Sequence, residues 1–62
     1  MKFTAKYYVI EHFDIFNNDW KPITSSAFYL MSEAEKYIPV FEKNLPGIIL
    51  RICEYKGTFE KV

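Results

Sequence analysis

Residues 2–16 alternate with a period of two. Phe3, Ala5, Tyr7, Val9, Phe13 and Ile15 occupy the odd positions, with Glu11 the one charged exception; Lys2, Thr4, Lys6, His12 and Asp14 occupy even positions, with Tyr8 and Ile10 among them. Period two with β-branched and aromatic side chains predicts a strand. The more regular odd face is expected to pack on the core. A strand this long predicts a bulge or bend near Glu11-His12.

Asn17-Asn18-Asp19 predicts a turn, because Asn and Asp tolerate left-handed backbone and bond their own main chain. Trp20 to Ser26 then reads as a return strand, confined to an edge or shortened by Pro22, which has no amide to donate. Ser32-Glu33-Ala34-Glu35 has the form of a capping box. Ala34, Tyr37, Ile38, Phe41 and Leu45 follow at helical spacing on one face, opposite Glu33, Glu35, Lys36, Glu42 and Lys43. A helix start at Ser25 or Ser26 is the rival reading, since Ala27, Leu30 and Met31 extend the stripe. Pro39 predicts a kink, and Asn44-Leu45-Pro46-Gly47 a helix end.

Ile48 to Tyr55 reads as a second strong strand. Apolar residues on both of its faces predict a central position. Lys56-Gly57 reads as a turn, with room for a short edge strand over residues 58–62. The expected architecture is therefore α+β: a small antiparallel or mixed sheet of three to four strands with one helix packed on one face, in the order β-β-α-β.

The 62 residues are enough for a single domain. Burial on folding contributes on the order of 90–98 kcal/mol, against an ordering cost on the order of 93 kcal/mol. A lone monomer is marginal, and self-association or a partner is a natural supplement. Half the chain is apolar and 19% aromatic, which opposes disorder. No apolar run is long enough to span a membrane, and residues 1–6 lack the apolar stretch of a signal peptide. The single cysteine, Cys53, excludes an internal disulfide and fits a cytoplasmic setting. Eight Lys/Arg balance eight Asp/Glu, which removes the general electrostatic drive toward nucleic acid.

No catalytic constellation is legible. His12 and Asp14 would share a strand face, two groups too few for a zinc site. A Cys53–His12 pair would lack an oxyanion site and an orienting third group. Gly47 and Gly57 are the only glycines, so no phosphate loop is available. No enzyme, metal or cofactor is expected. The expected functional surface is instead the sheet face turned away from the helix, carrying Tyr8, Ile10 and His12 from the first strand and Arg51 and Tyr55 from the last, with Trp20 beside the turn as an anchor or a lid on the core; the rival reading is that a loop, the Trp20 segment or the C-terminal strand folds over this face as ordinary core. A contiguous apolar and aromatic patch on a small protein marks an interface, and Trp, Tyr and Arg are the residue types of binding hot spots.

Trp20 through Phe28, Ser32-Glu33-Ala34-Glu35-Lys36-Tyr37 and Leu50-Arg51-Ile52-Cys53-Glu54-Tyr55-Lys56-Gly57 together resemble small accessory proteins of phages and mobile elements, some of them anti-CRISPR or other anti-defence inhibitors of β-β-α-β layout. The resemblance covers most of the chain but rests on no diagnostic motif. It implies a protein that acts by occupying the surface of a host protein in the host cytoplasm, and it carries over no residue role. The expected function is a non-enzymatic protein-binding module, of the phage-encoded inhibitor type. The alternatives are a homodimeric accessory protein joined through the same sheet face and, third, a single-stranded nucleic-acid binder in which bases stack on the strand aromatics.

Overall fold

The computed structural model describes residues 2–60, with side chains through residue 58. Three strands and one helix follow in the order β1 (Lys2–Asp14), β2 (Asp19–Pro22), α1 (Met31–Asn44) and β3 (Leu50–Glu60). The strands form one antiparallel sheet in the order β2-β1-β3, so the fold is the expected α+β layout. Both outer strands run antiparallel to β1 and hence parallel to each other. Two parallel strands need a crossover, and α1 supplies it.

The hairpin between β1 and β2 is set by its polar residues. The Asp14 carboxylate accepts the amides of Phe16 and Asn17 and, at 2.7 Å, the Asn17 side-chain amide. Asn18 takes the left-handed conformation, φ 52°, as the turn chemistry predicts. β2 ends at Pro22, but the chain continues beside β1: the Ile23 amide donates to the Ile10 carbonyl, and Tyr8 and Phe28 exchange both backbone bonds.

Several expectations are corrected. The pairing of β1 with β3 runs unbroken from Lys2↔Glu60 to His12↔Leu50, so the bulge near Glu11-His12 does not form. β1 is the central strand and β3 an edge; the two-sided apolar character of β3 reflects an uncovered face rather than a central place. Lys56-Gly57 does not turn, because both residues pair with β1, opposite Lys6 and Ala5; the separate edge strand expected over 58–62 is instead the end of β3 as far as residue 60, and 61–62 lie outside the described residues. The helix begins at Met31, with Leu30 as its cap residue and no side-chain cap bond. Ser32 lies inside the first turn, so the capping box is not made and the earlier start near Ser25 is not used. The helix runs through Pro39 and ends, as expected, before Leu45-Pro46-Gly47, with Gly47 at φ 86°.

The largest correction concerns the faces of the sheet. Odd positions of β1 stand opposite odd positions of β3, and even opposite even. Phe28 stands opposite Tyr8, and its ring packs on Tyr37 of α1 at 5.2 Å. The helix therefore covers the even face, and the odd face is the open one. Ile10 and Ala34 are fully buried, and Ile10 lies opposite Ile52. The reason lies at Glu11: an apolar helix cannot cover a charged group without cost, whereas Ile10, Ile52 and Leu50 offer a flush aliphatic surface.

Candidate functional site

Glu11 sits at the middle of β1 on the open face, yet only 5% of it is exposed. Its neighbours across the strand boundary bury it. Arg51 is its register partner on β3; its Nε donates to Oε1 at 2.8 Å, and its Nη2 makes an ion pair with the same oxygen, also at 2.8 Å. The Cys53 thiol donates to the same oxygen at 3.0 Å. The Tyr55 hydroxyl donates to Oε2 at 2.6 Å. One carboxylate thus gathers alternate residues of β3, which the period of a strand places on one face.

Aromatic rings surround this centre. Tyr7 stacks on Tyr55 with centroids 5.6 Å apart. Trp20 meets Phe13 edge-on at 5.3 Å, and the Arg51 guanidinium lies 4.2 Å over the Trp20 ring. Arg51 is therefore held from two sides, by an ion pair and by a cation–π contact. Farther along the face, Tyr7, Ala27, Tyr29 and Gly57 line a shallow depression of about 230 Å³. At the other end, Ile15 and Phe16 protrude from the hairpin tip, 73% and 92% exposed.

The network has clear electrostatic consequences. The hydrogen bonds from Cys53 and Tyr55, with the Arg51 charge, hold the Glu11 carboxyl at about 2 against burial, which acts the other way. Burial and the adjacent carboxylate push the Cys53 thiol up. Donation to Glu11 pushes the Tyr55 hydroxyl up to about 12. Cys53 is thus a protonated donor, the opposite of an activated nucleophile. Among the described residues no group of three or more His, Cys, Asp or Glu side chains is placed to hold a metal ion.

Of the expected surface residues, Trp20, Arg51 and Tyr55 lie together on the open face, in the contacts described above. Tyr8, Ile10 and His12 lie on the even face, toward the helix. Ile10 is core, the Tyr8 hydroxyl donates to Glu54 at 3.4 Å, and His12 stands opposite Leu50 and Lys21. His12 and Cys53 are on opposite faces and are not neighbours. Glu11 and Tyr7 are not among the expected surface residues. The available signal was Glu11 itself, a lone charge on an apolar face, which calls for partners on the adjoining strand.

No family model matches the chain, and neither a curated protein nor a solved structure matches it.

Proposed function

We propose that the chain is a non-enzymatic protein-binding module that presents the open face of its sheet to a partner protein. The observation that carries this reading is the face itself: Tyr7, Trp20, Arg51 and Tyr55 stand uncovered by the helix and are held in place around one buried carboxylate. Rigid aromatic and arginine side chains bind at low entropic cost. The molecule also has surface to spare. A compact chain of this mass exposes roughly 4,200 Å². The accessible surface here is 4952 Å², about 750 Å² more. That excess approaches one partner's share of a standard interface, roughly 800 Å².

The finer form of the proposal is an inhibitor that blocks a host protein by occupying its surface in the cytoplasm, of the kind the phage-protein resemblance implies. Such a partner would present an apolar patch with an acceptor for the guanidinium hydrogens that Glu11 leaves unused. The protonated Cys53 supports a non-enzymatic role, because its thiol serves to hold Glu11.

The test is affinity capture by the full chain, followed by titration of the captured partner with variants. Trp20→Ala and Arg51→Ala should each weaken binding at least tenfold, the scale of a hot-spot truncation. Unchanged affinity in both variants would refute the face as the interface. Random single-stranded oligonucleotides at low salt serve as the control for the nucleic-acid reading. Salt-sensitive binding abolished by Trp20→Ala would turn the same face over to that class.

A further inference from the structure

We infer that β3 pairs edge to edge with β3 of a second copy of this chain, antiparallel about a two-fold axis through Tyr55, to form a continuous six-stranded sheet. This inference is independent of what the open face binds, since edge pairing leaves that face uncovered.

The orientation of the backbone identifies the free edge. The Phe13 amide donates to the Ile49 carbonyl, whereas the Ile10 and Tyr8 main chains bond toward the β2 side. Odd residues therefore make the β1–β3 bonds. The alternate residues Leu50, Ile52, Glu54, Lys56 and Thr58 aim their amides and carbonyls outward from β3, where no strand of the sheet lies. This edge is long, has no proline, and carries the unpaired main-chain groups that template strand addition.

Charge selects the occupant and the register. The register that overlays β3 on its copy end to end, Leu50 opposite Glu60, sets Glu54 against Lys56 of the second chain, and Lys56 against its Glu54. Shifting the pairing by one step either way, keeping outward groups opposed, puts Glu54 against Glu54 or Lys56 against Lys56, which is unfavourable. Within one chain, Lys56 stands directly opposite Lys6, an unfavourable pair that Glu54 offsets only through Lys6, at 3.5 Å. A second chain's Glu54 supplies Lys56 with an acid that it lacks among the described residues of its own chain. The opposite edge of the sheet is less suited to this pairing: β2 is four residues long and ends at Pro22, and for residues 2–6 of β1, on the side away from β3, an alignment about Thr4 opposes Lys2 and Lys6.

The test is sedimentation equilibrium of the full chain across concentration, with charge-swap variants. The wild-type chain should dimerise reversibly. Glu54→Lys and Lys56→Glu should each weaken self-association roughly tenfold or more, because two symmetric pairs turn repulsive. Mixing the two variants should restore a heterodimer, since both pairs then become attractive. Circular dichroism of each variant confirms the fold. Tyr55→Cys in a Cys53→Ser background should form an intermolecular disulfide on mild oxidation, because the two positions face each other across the axis. A wild-type chain that stays monomeric at millimolar concentration overturns the inference. So does a mixture that associates no better than its components, or a Tyr55→Cys chain that does not cross-link.

Discussion

Glu11 stays ionised because three side chains of β3 donate to it, and that dependence sets its behaviour on titration. Its carboxyl titrates near 2 in the folded chain, against 4.5 ordinarily. A depressed carboxyl stabilises the fold fully above pH 4.5 and loses that contribution as the pH falls toward 2. Asp14 is depressed as well, chiefly by the Asn17 amide and then Lys21, so it weakens the fold in the same direction. The difference between the wild-type chain and Glu11→Gln isolates Glu11. Glu11→Gln is expected to lower stability at pH 7 by about 2 kcal/mol, a shift of roughly 10 °C in Tm. The gap should close as the pH approaches 2. Arg51, with 43% of its side chain exposed, remains hydrated and adds little to that figure. Thermal melts of both chains from pH 7 to 2 check this, and a gap that persists at pH 2 would contradict it. Burial and then the same carboxylate keep Cys53 protonated, so alkylation of folded Glu11→Gln at pH 8, with the second cause removed, should be faster than that of the wild-type chain. The sequence made Arg51, Tyr55 and Trp20 legible by residue type. It hid Glu11, because a single charge in an apolar register looks like an exception until the opposite strand is aligned.

At the scale of the elements, the helix shows where local signals yield to packing. Ser32 to Glu35 spells a capping box, yet α1 starts one residue before Ser32 and leaves its first amides without a side-chain acceptor. Placing Ala34 in full burial against the Ile10 side of the sheet sets the start of the helix, and the cap is given up. Leu30, in extended conformation at the cap position and 57% exposed, is accordingly a site for improvement. Leu30→Ser should raise stability by about 1 kcal/mol, measured by urea denaturation, and no gain would mean that Leu30 packs more than its exposure indicates. The strands were legible in type and order. Their faces were not, since β1 carries apolar residues at both parities. A shift of one residue in the alignment exchanges the two faces, and only the pairing with β3 resolves which parity meets the helix. Gly57 likewise reads as a turn residue by composition, but cross-strand pairing with Ala5 holds it in β3.

The molecule is thin and elongated, 43 × 26 × 15 Å, because one short helix covers one face of a three-stranded sheet and, among the described residues, no second layer covers the other. Among the described residues no helix is long and apolar enough to cross a membrane. The hairpin tip separates binding from stability: Phe16 is 92% exposed, so Phe16→Ala should change stability by no more than about 0.5 kcal/mol. If the partner reaches past Phe13 to the tip, the same substitution lowers its affinity, and titration against the captured partner reads this.

The most direct measurement places a photo-crosslinking phenylalanine analogue at Tyr7, on the open face, and separately at Val40, on the exposed side of α1, in cells that carry the chain. The account predicts a discrete adduct with another protein from position 7 and none from position 40. An adduct from position 40 with none from position 7 would contradict it and move the interface to the helix.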